Sequence, residues 1–235
     1  MKQYTRLIFD ADHTLLDYAK DELAAFARVF EKLGVNADLG MLERAHALSE
    51  FTWTEAGLYD VEREFVQREY HNLYRAHVTP LFERIFNEFG VSGDAKAGGR
   101  LFLKELEEKG RPLANAYAVL KTLKNKYRIA IATNGLSAIQ RGRMKAFEGL
   151  FDTLIISEDV GAIKPTAAFW GGAFEKIKED KGECLMVGDS LRSDVAGAKR
   201  AGLDACWFNP LKKPFDGEVQ PDFSVCRLDE LLQIL

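Results

Sequence analysis

Two aspartates lie two positions apart, directly after the first apolar run of the chain. The segment LIFDADHTLLD spans residues 7–17 and contains this pair, Asp10 and Asp12. Like charges this close repel each other and resist burial, so they are an unusual end for a buried strand. Such carboxylates can hold a metal, share a proton, attack a substrate or simply decorate a solvated turn. The polar residues that follow the later apolar runs discriminate between these roles.

Three later apolar runs also lead into polar residues. The run 128–133 ends in threonine, a lysine follows the run 152–157, and the run 184–189 ends in an aspartate with a second one five positions later. Ligands of an open parallel sheet bind outside the carboxyl ends of its strands. We therefore expect one cluster at that edge of the sheet. Besides Asp10 and Asp12, its members are Thr133, Asn134, Gly135, Lys164, Asp189 and Asp194.

Each of these signals is weak by itself, and the combination carries the prediction. A D-x-D-x-T pattern occurs by chance, and a single lysine such as Lys164 is usually a solvated surface charge. Asp194 has the position of an N-cap for the helix that follows it. Chance is a much weaker explanation for the whole set, in which each polar residue follows a predicted strand and the order along the chain is kept.

The clustered groups could bind a metal and a phosphate together. Carboxylates at the ends of the first and fourth strands supply the hard oxygen ligands that Mg²⁺ prefers, and the ion offsets their mutual repulsion. A phosphate monoester can then approach the metal, Lys164 and the Thr133 hydroxyl. Backbone N–H groups after the second strand, at Asn134 and Gly135, complete the predicted phosphate site.

The aspartate pair supplies the catalytic groups of phosphoryl transfer. Asp10, at the strand terminus, is placed to attack phosphorus in line and form an aspartyl-phosphate. Asp12 is placed to protonate the leaving oxygen and then to deprotonate the water that hydrolyses the intermediate. The sequence therefore predicts a phosphoryl-transfer enzyme with Asp10 and Asp12 as catalytic residues.

The elements that must position these groups alternate between strands and helices. Continuous apolar runs separate patterns with helical periodicity, which favours a parallel sheet covered by helices on both faces. Right-handed crossovers then give an α/β fold, a doubly wound, Rossmann-like core. The predicted strands are 5–10, 128–133, 152–157, 184–189 and 204–209. The predicted helices of this part are 115–126, 137–148, 166–180 and 194–201.

A long all-helical segment interrupts this alternation after the first strand. Its aromatic residues recur at helical spacing, which is typical of a helix-bundle core. We predict an inserted all-α cap domain at 17–110 and a catalytic core formed by 1–16 and 111–235, with a hinge near Gly110 and Pro112. Residues 212–223 are predicted to form a surface loop before a terminal helix at 228–235. The predicted cap helices are 20–33, 38–56, 60–78, 80–89 and 94–109.

The composition excludes several function classes. The 235 residues include 32 Lys and Arg and 36 Asp and Glu, a net charge of −4, which argues against nucleic-acid binding. Apolar runs are too short to span a bilayer, and the N-terminus has no signal-peptide pattern. Three cysteines without a CxxC pair indicate buried free thiols. We expect a cytoplasmic protein that is a monomer or weak homodimer, with no nucleic-acid or membrane partner.

Four segments of the chain resemble a known family. FDADHT, ATNG, IKP and VGDSLRSD are similar, in order and position, to the four motifs of the haloacid dehalogenase superfamily of phosphohydrolases. The resemblance implies that Asp10 is the nucleophile and Asp12 the general acid and base. It also implies that Thr133 and Lys164 bind the phosphate.

The same resemblance implies a metal and a cap. The metal would be Mg²⁺, held by Asp10, by the backbone carbonyl of Asp12 and by Asp189, with Asp194 supporting these ligands from behind. The insertion at 17–110 resembles the helical C1-type cap that such proteins carry after their first motif. A cap that closes over the site would exclude water and recognise the leaving group.

Two features of the aspartate motif refine this expectation. The 2-haloacid dehalogenases of the superfamily share the fold and cap but lack an acid at the position of Asp12 and have no metal, so Asp12 favours a phosphatase. His13 stands where many members have glycine, which places a side chain near the mouth of the site. We interpret His13 as a turn residue without a catalytic role.

The flanks of the motifs resemble most the pyrimidine 5'-nucleotidase branch, which dephosphorylates nucleoside monophosphates, including noncanonical ones. One departure is Thr166, which follows the third motif where an acid is common. Cap aromatics such as Phe51, Trp53 or Tyr59 could stack on a base. The histidines of the cap form no metal-ligand spacing.

Several alternatives to a nucleotidase stay open from the sequence. A sugar-phosphate or phosphoglycolate phosphatase would use the same motifs. So would a mutase of the β-phosphoglucomutase kind, which returns the phosphoryl group to a bound sugar. A 2-haloacid dehalogenase or a non-catalytic binding protein is disfavoured, because no acid, lysine or threonine of the predicted site is missing.

Overall fold

The structure, a computed structural model, describes residues 3–235 and contains one six-stranded parallel sheet. Short, mostly buried strands rich in Ile, Val, Leu and Phe form it, as expected for a sheet covered on both faces. The strands are β1 (Arg6–Phe9), β2 (Arg128–Thr133), β3 (Thr153–Ile156), β4 (Cys184–Gly188), β5 (Asp204–Phe208) and β6 (Phe223–Val225). Their order across the sheet is β3-β2-β1-β4-β5-β6, so β1 lies between β2 and β4.

Alternate residues of each strand point to opposite faces of the sheet and fill two apolar cores. Leu7 and Phe9 enter one core, which the helices at 116–123 and 231–234 cover, and Ile8 enters the other, which the helices at 167–176 and 197–201 cover. This arrangement confirms the predicted doubly wound α/β core. The helices of this sheet-bearing part are α6 (Ala116–Leu123), which directly precedes β2, and, after β2, α7 (Ser137–Met144), α8 (Ser157–Val160), α9 (Ala167–Lys176), α10 (Gly197–Ala201) and α11 (Leu231–Ile234).

Between β1 and β2 the described chain has six helices and no strand. The last of these helices is α6, and the five before it confirm the predicted all-α insertion. They pack around an aromatic core in which the rings of Phe26 and Phe102 are stacked with centroids 4.4 Å apart. Ile139 and Ile163 from the sheet-bearing part join the same core. The helices are α1 (Tyr18–Lys32), α2 (Leu39–Glu55), α3 (Glu64–Ala76), α4 (Val78–Phe89) and α5 (Ala95–Glu105). The domain limits 1–16, 17–110 and 111–235 stay a prediction.

The C-terminal region differs from the sequence-based expectation. The predicted surface loop leads into the short strand β6, which pairs with β5 alone at the edge of the sheet. Three residues are too few for a periodic apolar signal, so the pattern did not reveal this strand. The predicted terminal helix is a 3₁₀ turn at Leu228–Glu230 followed by one turn of α11. The segment Leu191–Ala196 before α10 has π-helical geometry.

Cys184 and Cys206 are buried free thiols, whereas Cys226 is a half-buried free thiol. From residue 3 to the C-terminus, the longest helices are too short or too polar to cross a bilayer.

Candidate active site

The predicted site residues follow three neighbouring strands at the centre of the sheet. Asp10 comes directly after β1, Thr133 ends β2, and Asp189 comes directly after β4. Since β1 pairs with both β2 and β4 in parallel, their carboxyl ends meet at one edge. The register therefore brings together groups that are more than 170 positions apart in sequence.

Lys164 lies at the centre of this edge and is only 1% exposed. Its ammonium donates to Asp10 Oδ1 at 2.5 Å, to Asp194 Oδ1 at 2.7 Å and to the carbonyl oxygen of Ala132 at 2.6 Å. Burial lowers the pKa of Lys164, but the carboxylates of Asp10 and Asp194 together have the larger effect and raise this pKa above its usual value. Lys164 is therefore a buried cation that partly neutralises the acids around it.

Asn134 fixes the loop that carries Lys164. The Asn134 amide donates to the carbonyl oxygen of Lys164 at 3.0 Å, and the Lys164 N–H donates to Asn134 Oδ1 at 2.8 Å. Thr133 and Asn134 both line the site cavity. Gly135 does not, because its N–H is turned away and donates to Ser157 Oγ at 2.9 Å. The structure thus brings two of the three predicted phosphate-binding residues after β2 into the cavity.

Three carboxylates at this edge form a group that could hold a metal ion. Oxygens of Asp10, Asp189 and Asp194 lie within 4.8 Å of one another. Burial, and then the charge of Asp194, raise the pKa of Asp189 to about 6. Burial likewise raises the pKa of Asp10, against the effect of Lys164. Hard oxygen donors whose repulsion a cation would relieve fit Mg²⁺.

Asp194 has other partners for both of its carboxylate oxygens. Oδ1 accepts from Lys164, and Oδ2 accepts from the Ser190 N–H at 3.0 Å. This use of both oxygens suits the expected supporting role behind Asp10 and Asp189. Gly188 permits the arrangement, because a Cβ at that position would lie 2.2 Å from Asp194 Oδ2.

Asp12 contacts two residues that the sequence analysis did not identify. Its Oδ2 accepts from Gln140 Nε2 at 2.9 Å, and its Oδ1 is ion-paired with Arg143 Nη1. Both partners are buried on α7. One signal could have found Gln140, since it lies four residues from the apolar Leu136 and Met144 and thus on the buried helix face.

A cavity of about 320 Å³ extends from these groups to the inserted helices. Its far wall is aromatic and acidic. Of the three cap aromatics named from the sequence, Trp53 and Tyr59 line this cavity, whereas Phe51 does not and packs on Arg84. The residues that the inserted helices and their connections contribute to the wall are Tyr18, Glu22, Ser49, Glu50, Trp53, Leu58, Tyr59, Val61, Tyr70 and Tyr74.

Two glutamates of this wall are held by neighbouring side chains. Glu22 is buried, accepts from Ser49 Oγ at 2.8 Å and contacts His46 Nδ1. Glu50 accepts a hydrogen bond from the Tyr59 hydroxyl. The wall therefore presents oriented hydrogen-bond acceptors beside aromatic rings.

Three histidines have defined positions in the structure. His13 has a left-handed backbone with φ of 60° and lines the cavity, and its interpretation as a turn residue without a catalytic role stays a prediction. His71 contacts Ser157 Oγ at 2.8 Å, and His77 is buried with its Nδ1 2.6 Å from the carbonyl oxygen of Tyr74. Burial lowers the pKa of His77 to about 4.

Comparison with known proteins gives a consistent result. The model of the haloacid dehalogenase-like hydrolase family matches residues 4–202. The pyrimidine 5'-nucleotidase PynA of Streptococcus pneumoniae is 31% identical, covering 99% of this chain and 95% of its own. The pyrimidine 5'-nucleotidase YjjG of Escherichia coli is 29% identical, covering 97% and 96%.

A solved structure agrees with these sequence relatives. YfnB of Bacillus subtilis, named as a HAD-hydrolase, is 30% identical and covers 100% of this chain and 97% of its own. Its crystal structure, bound to magnesium and described as showing interdomain movement, superposes with a TM-score of 0.82 over 100% of this chain and 99% of that one.

Proposed function

The chain belongs to the haloacid dehalogenase-like hydrolases and is a phosphatase, and we propose that it acts as a Mg²⁺-dependent 5'-nucleotidase on pyrimidine nucleoside monophosphates. One observation carries the proposal. A single cavity has Asp10, Asp12 and Lys164 at its base and an aromatic wall opposite them. The base suits a phosphate, and the wall, which combines aromatic rings with two glutamates, suits a flat leaving group that donates hydrogen bonds.

In the first step, an Asp10 oxygen attacks phosphorus and the bond from phosphorus to the ester oxygen breaks. Lys164 binds Asp10 Oδ1, which leaves Oδ2 as the attacking atom. The ammonium of Lys164 also lies where negative charge accumulates on the phosphoryl oxygens. Asp12 gives its proton to the departing ester oxygen, so the nucleoside leaves as a neutral alcohol.

In the second step, water hydrolyses the aspartyl-phosphate. Asp12, now a carboxylate, takes a proton from the water as its oxygen attacks phosphorus. The bond from phosphorus to Asp10 breaks, which releases inorganic phosphate and restores the Asp10 carboxylate. Thr133 lies beside this centre and offers a hydroxyl to the phosphoryl oxygens.

The residues that would hold Mg²⁺ are Asp10, Asp189 and the backbone carbonyl of Asp12, with Asp194 behind them. The relation to magnesium-bound YfnB supports this assignment, as does the carboxylate group described above. When bound, the ion would supply positive charge that screens the incoming phosphate from the acids. Lys164 alone cannot balance the three carboxylates of the group.

The charge of the cavity favours a leaving group without a second anion. Besides the acids at its base, the cavity is lined by Glu22 and Glu50, and its permanent cations are Lys164 and Arg192. A carboxylate on the leaving group, as in phosphoglycolate, would face these glutamates and be repelled. A nucleobase could stack on the rings and donate N–H groups to the glutamates.

A substrate panel tests the proposal. The protein with Mg²⁺ is assayed for released phosphate with UMP, CMP, a sugar phosphate and phosphoglycolate. We expect the pyrimidine nucleotides to have the highest kcat/KM, and a higher value for sugar phosphates would overturn the nucleotidase assignment. A single turnover in ¹⁸O-labelled water tests hydrolysis directly: label in the released phosphate supports a hydrolase, whereas phosphate that migrates without release indicates a mutase.

A further inference from the structure

Helix α7 carries a buried arginine, Arg143. It lies between Asp12, the proposed general acid and base, and α1, the first helix of the insertion. Arg143 is 0% exposed. Its Nη1 is ion-paired with Asp12 Oδ1, while its Nε and Nη2 donate to Asp21 Oδ2 at 3.2 and 3.0 Å. One planar guanidinium thus joins two carboxylates. None of the steps proposed above uses Arg143.

Gln140, one helical turn earlier, holds the other oxygen of Asp12. Its Nε2 donates both to Asp12 Oδ2 at 2.9 Å and to Thr133 Oγ1 at 2.5 Å, and its Oε1 accepts from Arg143 Nη1 at 3.2 Å. Both oxygens of the Asp12 carboxyl are therefore bound by side chains of α7. Gln140 also links Asp12 to the Thr133 hydroxyl, which is predicted to bind phosphate.

Asp21 holds the Arg143 guanidinium in one orientation. It lies in the first turn of α1, and its other oxygen accepts from the backbone N–H of Arg111 at 2.9 Å and from the Arg111 guanidinium at 3.2 Å. The ring of Tyr18 covers the Arg143 guanidinium at 4.9 Å. Since a guanidinium presents its N–H groups in a rigid plane, fixing it on Asp21 also fixes the direction in which it binds Asp12.

We infer that Arg143 is a positioning residue that orients Asp12 toward the leaving oxygen of the substrate. The inference rests on the acid and base role proposed for Asp12. A general acid must approach its target within hydrogen-bond distance, and a free aspartate after a strand would rotate away from it. The two contacts of α7 remove that freedom before the substrate binds.

The leaving group provides a readout that separates positioning from a purely structural ion pair. The alkoxide of a nucleotide needs a proton as it departs, whereas the nitrophenolate of p-nitrophenyl phosphate departs without one. The value of kcat/KM reports the steps through departure of the leaving group. An orienting role in protonation should therefore affect UMP and spare p-nitrophenyl phosphate.

The experiment compares Arg143→Met and Arg143→Lys with the wild type on both substrates. We expect Arg143→Met to lower kcat/KM for UMP by about 10- to 100-fold and for p-nitrophenyl phosphate by no more than about threefold. Arg143→Lys, which keeps the charge but not the planar fork, should lie between Arg143→Met and the wild type. Circular dichroism verifies that each variant is folded. If Arg143→Met does not fold, the comparison of the two substrates is made with Arg143→Lys.

Two controls separate the possible failures. Arg141→Met changes the same residue type on the same helix, where Arg141 is exposed and bonded to Asp159, and should leave both rates unchanged. Asp12→Asn should show the same selective loss, to a larger extent. Equal losses on both substrates in Asp12→Asn would contradict the proposed mechanism. A selective loss in Asp12→Asn combined with equal losses, or none, in folded Arg143 variants would overturn the inference alone.

Discussion

At the scale of single residues, the site depends on how buried charges are balanced. Asp10, Asp189 and Asp194 lie close together, and Lys164 neutralises only part of their charge. Buried like charges destabilise a fold unless a cation is shared among them. The protein therefore carries an energetically unfavourable group of charges at the place where we propose the nucleophile and the metal ligands.

Replacement of the nucleophile tests the proposed covalent step. We expect Asp10→Asn to lower phosphatase activity by at least about 1,000-fold, because an amide cannot form the aspartyl-phosphate. The fold should persist, since an amide of the same shape removes one charge from the carboxylate group. Phosphate release and circular dichroism measure the two effects, with the exposed Asp180→Asn as control. Substantial turnover in folded Asp10→Asn would exclude Asp10 as the nucleophile.

At the scale of elements, helix α7 carries the partners of Asp12 and also packs against the segment that returns from the insertion. Gly142 allows this contact, because a Cβ there would lie 1.7 Å from the backbone oxygen of Glu107. The Gly110 N–H donates to the carbonyl oxygen of Arg143 at 3.1 Å. The predicted hinge near Gly110 is thus hydrogen-bonded to the helix that holds Asp12.

A pair of helix glycines tests the close approach of α7. Gly142→Ala should lower the free energy of unfolding by about 2 to 4 kcal/mol, since its methyl group meets backbone rather than a movable side chain. Gly171→Ala on α9 has open space and should raise that free energy by about 0.5 to 1 kcal/mol through helix propensity. Urea unfolding measures both changes. A Gly142→Ala variant as stable as the wild type would show that the segments do not approach this closely.

The histidine at the junction of α3 and α4, His77, should make the stability of the protein depend on pH. His77 is buried there, and its pKa of about 4 lies below the value of about 6.5 in an unfolded chain. As the pH falls from 6.5 to 4, the unfolded chain binds the proton first, so the folded state loses stability. The contribution of His77 is about 3 kcal/mol at most.

Urea unfolding at pH 7 and pH 4.5 measures this effect as a difference between wild type and His77→Gln. The variant should lose less stability on acidification than the wild type. His46→Gln is a useful comparison because contact with Glu22 raises the pKa of His46, which gives the opposite sign. An identical pH dependence in wild type and His77→Gln would contradict the prediction.

At the scale of the whole molecule, the sheet and the inserted helices meet at one cavity, and both supply residues to its lining. The base of the cavity comes from strand ends and its far wall from the insertion. The carboxylate group that would hold Mg²⁺ therefore couples the stability of the molecule to its function. Removal of one charge should stabilise the metal-free protein while it weakens metal binding.

The variant Asp189→Asn tests this coupling. Without added metal, we expect its free energy of unfolding to exceed that of the wild type by about 1 to 3 kcal/mol, because repulsion within the carboxylate group is relieved. Addition of Mg²⁺ should raise the melting temperature of the wild type and raise that of the variant much less. Thermal melts with EDTA and with Mg²⁺ measure both effects. Equal Mg²⁺ shifts in the two proteins would remove Asp189 from the metal site.

Sequence patterns are enough to predict the alternation of strands and helices, the all-helical insertion and the residues at the strand ends. Those features are local: an apolar run, a helical period, or a polar residue placed directly after a strand. Because the carboxyl ends of parallel strands meet at one edge of the sheet, the fold class alone predicts that Asp10, Thr133 and Asp189 lie close together. The short edge strand β6 lay below the length at which such a pattern is visible.

The side chains that hold these groups in place are set by how distant parts of the chain pack together. Local spacing places Gln140 on the buried face of its helix, but it does not identify Asp12 as the partner of Gln140 or Arg143, because these contacts span more than 120 positions. The sequence likewise could not separate Trp53 and Tyr59, which line the cavity, from Phe51, which does not. Local periodicity gives the face of a helix, but the partner of that face is set by how the helices pack across the whole chain.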